Sequence, residues 1–168
     1  MINIIPNKKA DTEQLEKFIQ MLNFKLPEDY VIFLKEYNGG KPEENIVKLD
    51  FNESLSFRIN SFFGIGTEMY INDILWNMKI LEGRVPKQYI PIAHTEGGDI
   101  VCMNLISENC GDIYLWLHEE ERFFEIAPSF SGFFEIISPH NPDDDDLSGY
   151  EVIDVWIDPE FLGKINKR

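Results

Sequence analysis

The side chains of this 168-residue chain that could do chemistry are three histidines, two cysteines and several carboxylates next to glycine. A Cys–His or Ser–His–Asp relay would draw on His94, His118 or His140, yet none lies in a motif that sets a nucleophile on a sharp turn beside backbone donors. Cys102 and Cys110 have seven residues between them and no histidine at finger-like spacing, so they read as small apolar residues on or beside strands, not zinc ligands. Glu96 and Asp99 could pair as acid and base, but they flank Gly97-Gly98 and read first as a hairpin turn. Gly64-Ile65-Gly66 opens like a dinucleotide fingerprint, and Met69 stands where its third glycine belongs. Asp144, Asp146, Ser148 and Gly149 match positions of a calcium loop whose bidentate glutamate position is Val155, with Asp154 and Asp158 off register, so an acidic exposed loop is the better reading. No nucleophile relay, ligand set or phosphate cradle is complete, and the expectation is no catalytic residue and no cofactor.

Charge is the feature left over. The chain carries 15 basic and 30 acidic side chains, net −15, and residues 82–160 hold 18 of the acids against Arg84, Lys87 and Arg122. Such a field repels phosphate backbones and anionic lipid headgroups and steers cationic partners, which argues against nucleic-acid or membrane binding. Its two densest points are the turn Glu119, Glu120, Glu121 and the run Asp143, Asp144, Asp145, Asp146; these seven are the candidate partner-binding residues. A purely solvated surface that keeps the chain soluble is the competing reading. The longest apolar runs, such as Ile113 to Leu117, are far short of the ~20 residues that span a bilayer. Two cysteines are too few for a disulfide scaffold, and no basic start precedes an apolar stretch, so a cytoplasmic protein with reduced thiols is expected.

These residues need a scaffold, and the hydrophobic spacing supplies one. Leu15, Phe18, Ile19 and Leu22 repeat at helical spacing behind a capping box of Asp11 and Gln14. A second helix is predicted to run from Pro27, a residue suited to the first helical turn, with Glu28 and Asp29 at its positive end, Tyr30, Phe33, Leu34 and Tyr37 inward, and Asn38-Gly39-Gly40 as its stop. A third is predicted with Ile71, Ile74, Leu75 and Met78 on one face and Gly83 as exit. A fourth starts at Ser129 and presents Phe130, Phe133, Phe134 and Ile137. Between these last two the period changes to two, predicting strands at Tyr89 to Ala93, Ile100 to Leu105, Ile113 to Leu117 and Phe123 to Ile126, joined by short turns as an antiparallel meander. Ile46 to Phe51 and Phe57 to Phe63 add two earlier strands. The fold class is therefore α+β: a single domain, undivided by repeat or linker, with an antiparallel sheet of about six strands and about four helices packed against it. Trp116, Phe33, Leu34, Ile92 and Phe133 are expected in its core.

The order of these blocks resembles a known family. Leu26-Pro27-Glu28-Asp29-Tyr30 through Phe33-Leu34 to Asn38-Gly39-Gly40-Lys41-Pro42 is similar to the N-terminal signature of the SUKH superfamily, the cell-wall-regulator-like (Smi/Knr-type) immunity proteins of bacterial toxin systems. Ile90-Pro91-Ile92-Ala93 with Gly97-Gly98-Asp99, then Gly111-Asp112-Ile113-Tyr114-Leu115-Trp116 with His118-Glu119, resembles its central strands, and Ala127 to Phe134 its closing helix. The resemblance covers residues 12–138 and implies an α+β fold without catalytic activity. It also implies a cytosolic role in neutralising a cognate protein toxin, often a nuclease, for which a basic toxin face would suit the acidic chain. A non-catalytic intracellular scaffold or regulatory domain binding a protein or peptide is the alternative. The organisation expected is a SUKH-like domain over 1–138 and an acidic C-terminal extension, 139–168, packing on it and peculiar to this protein.

Overall fold

The structure, a computed structural model, describes residues 2–50, 54–106 and 110–139. Among the described residues its helices are α1 (Thr12–Leu22), α2 (Glu28–Glu36), α3 (Ile74–Ile80) and α4 (Phe130–Glu135), with a 3-10 turn at Tyr70–Asn72. Its strands are β1 (Ile4–Pro6), β2 (Gly40–Pro42), β3 (Ile46–Asp50), β4 (Ser54–Phe62), β5 (Tyr89–Thr95), β6 (Ile100–Asn104), β7 (Ile113–Leu117), β8 (Arg122–Ala127) and β9 (Ile137–Ser138). The fold is α+β and one domain, as its sequence predicts, but the sheet has nine strands where about six were expected. The path runs β1-β2-β4-β5-β6-β7-β8, with β3 joined to β4 and β9 to β3, every strand pair antiparallel. The last four strands on that path are the expected meander.

Local chemistry accounts for the helices. Asp11 Oδ1 accepts the Gln14 N–H at 2.6 Å while the Gln14 side chain accepts the Asp11 N–H at 3.2 Å, the reciprocal capping box read from sequence. Pro27 takes the N-cap of α2, one position before the first turn. Asp29 then does more than complement the dipole: its Oδ2 accepts both the N–H and the hydroxyl of Ser131 at 2.9 Å, locking the start of α2 to the first turn of α4. Between them Phe33 meets Phe62, Phe130 and Phe134 with ring centroids 5.0–5.5 Å apart, a spacing that favours edge and tilted pairs. All five expected core residues, Trp116, Phe33, Leu34, Ile92 and Phe133, are buried.

Two expectations need correction. The third helix is shorter and rotated: Asp73 caps it, Ile74, Asn77 and Leu81 face inward, and Ile71 and Leu75 are exposed. Asn77 goes inside because its amide donates to the carbonyls of Ile71 (2.9 Å) and Asp73 (2.8 Å), local bonds that let a polar side chain replace the expected apolar one. Ile137, expected on the fourth helix, lies instead on β9, where it pairs with Val47 of β3.

The Asn38-Gly39-Gly40 stop turns out to be a knot between distant segments. Asn38 is 1% exposed and holds the left-handed conformation at φ 51°. Its amide donates to the carbonyls of Lys8 (2.8 Å) and Ile65 (3.0 Å), its Oδ1 accepts the Ile65 N–H at 2.8 Å, and its own carbonyl accepts the Asn7 side chain at 2.9 Å. Gly64 passes so close that a Cβ there would lie 2.0 Å from the Asn38 carbonyl oxygen. The glycine that looked like half a phosphate cradle is a packing glycine.

Removing the Asn38 side chain strands buried backbone donors and acceptors, each costing about 1–3 kcal/mol. Asn38→Ala is expected to lower the unfolding free energy by about 3 kcal/mol, and Gly64→Ala, which overlaps backbone, by at least about as much. Urea unfolding of both, alongside an exposed control such as Lys35→Ala that changes little, checks this.

Candidate partner-binding surface

The β5–β6 and β7–β8 hairpins turn at the same end of the sheet, and their tips are tied together. Asp99 Oδ1 accepts the His118 N–H at 3.0 Å and lies 2.8 Å from His118 Nδ1, so the imidazole is oriented by a carboxylate from the neighbouring hairpin. This arrangement brings Glu96, Asp99, Glu119, Glu120 and Glu121 to one edge. The pattern of two Gly-containing or acidic turns was legible; their cross-link was not.

The structure places the three turn glutamates together and exposed, as expected, but it also partners two of them. Glu120 pairs with Arg122 at 3.1 Å and Glu121, in the left-handed conformation, with Arg84 at 3.0 Å. Arg84 arrives from the chain just past α3, also donates to the His118 carbonyl at 2.7 Å, and lays its guanidinium 4.9 Å above the ring of buried Trp116. Glu119 has no ion pair among the described residues. Arg58 lies 3.9 Å from Glu96. The edge therefore carries five carboxylates against three arginines, a smaller local excess than composition suggested, and its shape is fixed by those arginines. Arg84 was missed as a site residue because the ion pair spans 37 positions of sequence. The other candidates, Asp143, Asp144, Asp145 and Asp146, lie outside the described residues, as do His140 and the calcium-like loop.

The groups that nucleophilic chemistry would need have other settings. Cys102 is fully buried on β6 and burial pushes its thiol well above the usual range, so it stays protonated. His94 stacks flat on Phe63, centroids 5.5 Å apart, and burial moves its pKa down. Cys110 is exposed and rests its sulfur 3.7 Å from the Lys25 carbonyl. Among the described residues no three His, Cys, Asp or Glu side chains converge as a metal site, and no helix is long and apolar enough to cross a membrane.

A second surface was not foreseen. Beside α3 runs an open groove of about 610 Å³, walled by Met21 and Phe24 from the end of α1, Leu75 and Met78 from α3, and Tyr89 at the start of β5. Met21 is 49% and Leu75 39% exposed. Lys79, Glu82 and Lys87 stand on its rim. The available signal was the apolar excess of α3, whose Leu75, Trp76 and Ile80 have no place in the core.

Residues 9–136 match the SMI1/KNR4 family (SUKH-1). The chain is also similar to the SPbeta prophage-derived uncharacterized protein YokK of Bacillus subtilis (strain 168), 27% identical over 171 residues that cover 89% of this chain and 85% of the relative.

Arg84 joins α3 to the β7–β8 hairpin through a charged hydrogen bond, a half-exposed ion pair and a cation–π stack. Arg84→Ala is expected to cost about 1–2 kcal/mol and to increase quenching of Trp116 fluorescence by iodide. Glu119→Ala, which leaves these contacts alone, is expected to change neither; matched denaturation and quenching curves on backgrounds carrying both Trp76→Phe and Trp156→Phe, which leave Trp116 as the one tryptophan, give the comparison.

Proposed function

Because the chain belongs to the SMI1/KNR4 family (SUKH-1), known for immunity-like proteins, we propose that it is a non-catalytic, cytoplasmic immunity protein that binds and blocks a cognate protein toxin. The observation that carries the assignment of a surface is the convergence of Glu96, Asp99 and Glu119 to Glu121 on one end of the sheet, on hairpins held by Arg84, Arg122 and the Asp99–His118 contact. A toxin that acts on nucleic acid must present cations to phosphates, and an inhibitor can occupy that cleft with carboxylates in their place. Pre-formed hairpins reduce the ordering cost of binding, and an acidic field raises the encounter rate. Arginine-held Glu120 and Glu121 shape the tip; Glu119, without an ion pair among the described residues, is the carboxylate most available to a basic partner. Asp143 to Asp146 extend the same negative field in sequence and are proposed as secondary contributors.

The test has two arms. Cells expressing the toxin domain encoded beside the gene are expected to survive when this chain is co-expressed; continued death, or the absence of such a neighbour, would favour the scaffold reading. With the purified pair, Glu119→Lys is expected to slow association by about twofold to fivefold at low salt with an unchanged melting temperature, the difference shrinking as the screening length falls toward about 3 Å at 1 M salt. Triple reversal of Glu119, Glu120 and Glu121 should slow it further, but it also frees Arg84. An association rate that ignores both salt and Glu119→Lys would move the interface off this edge.

A further inference from the structure

The groove beside α3 has an occupant in the chain itself: we propose that residues 150–157 dock into it, with the acidic run Asp143 to Asp146 as the tether. The groove offers Met21, Phe24, Leu75, Met78 and Tyr89 as an apolar trough, open to water at 610 Å³ in the described residues. Apolar surface of this kind on a soluble domain marks a binding site. Its lining is also locally basic, with Lys79 and Lys87 against Glu82 in a chain of net −15.

Residues 150–157 are the complement on both counts. Tyr150, Val152, Ile153, Val155, Trp156 and Ile157 are six apolar side chains in eight positions, and the other two, Glu151 and Asp154, are acids suited to Lys79 and Lys87. No lysine or arginine occurs from Phe123 to Gly163 to oppose that match. The tether is long enough. Ten residues lie between Pro139 and Tyr150, and the eleven Cα steps that they make span up to about 36 Å when extended. That compares with a radius of gyration of about 14 Å for a body of this size.

Intramolecular delivery also decides between occupants. A segment joined by only ten residues is present at an effective concentration on the order of millimolar, so even weak apolar docking fills the groove. A second copy would bring the same lysine-rimmed trough and a net charge of like sign, which opposes the encounter. Docking would make residues 139–168 part of the same body, with the acidic run held at its surface.

Paramagnetic NMR on the full chain tests this without any partner protein, so its outcome is independent of the proposed immunity role. Cys110→Ser removes the exposed thiol, Cys102 is buried, and Glu82→Cys carries a nitroxide on the groove rim. The expected result is a loss of about twofold or more in amide signal intensity for residues 150–157, because the tethered segment is mostly bound. Leu75→Glu, at an exposed position, should restore those signals while leaving the rest of the spectrum in place, and Trp156→Asp should do so from the other side. Residues 150–157 unaffected by the label, or attenuation that survives both substitutions, would overturn the proposal. So would attenuation that appears only when spin-labelled and isotope-labelled molecules are mixed, since the occupant would then be a second copy.

Discussion

The fold depends on one buried residue whose backbone and side chain are both fully used. Asn38 sits where α2 must end and the chain must turn into β2. There it satisfies backbone groups of the N-terminal arm at Lys8 and of the β4–α3 connection at Ile65. Three segments far apart in sequence are held by one amide, and the left-handed backbone asparagine tolerates makes the geometry possible. The neighbouring glycines follow as a consequence: a side chain at Gly39 would meet the Phe62 and Phe63 backbone at 2.6 Å, and one at Gly64 the Asn38 carbonyl. From that knot outward, β4 is positioned to carry β5 and the meander, and the connection after Gly64 is positioned to start α3.

The same reasoning separates scaffold from recognition. The blocks that resemble the SUKH superfamily are mostly structural: Pro27 caps α2, Asp29 fastens it to Ser131, Asn38 and Gly39 make the knot, and Ile90, Ile92 and Trp116 fill the core. What remains on the surface is chemically simple. One sheet end is acidic and braced by arginine, and one groove is apolar and rimmed by lysine. A scaffold that puts its signature residues inside leaves its turns free to vary, which suits a protein that must fit one particular partner.

How far the sequence revealed this depended on whether the cause was local. The capping box of α1, the phenylalanine spacing of α4 and the alternation of β7 are local signals, and they were readable to within a residue or two. Strands β1, β2 and β9 were not, because three residues such as Gly40-Lys41-Pro42 carry no strand propensity and become a strand through pairing with β1 and β4. The α3 face was misassigned because burial of Asn77 depends on the carbonyls of Ile71 and Asp73 being left open by the turn before it. The acidic turn was visible as composition. That Arg84 holds Glu121 while Glu119 has no ion pair among the described residues is a tertiary fact, and composition is blind to it.

The proposed interface is the acidic sheet end, not the helical side of the molecule. Amide hydrogen exchange of the full chain with and without the neighbouring toxin domain addresses it directly. Slowed exchange in the complex, concentrated at residues 96–99 and 118–122 in the two cross-linked tips, is the expected outcome. Unchanged exchange at both tips, with protection confined to the α1 end and α3, would contradict it and make the groove the interface.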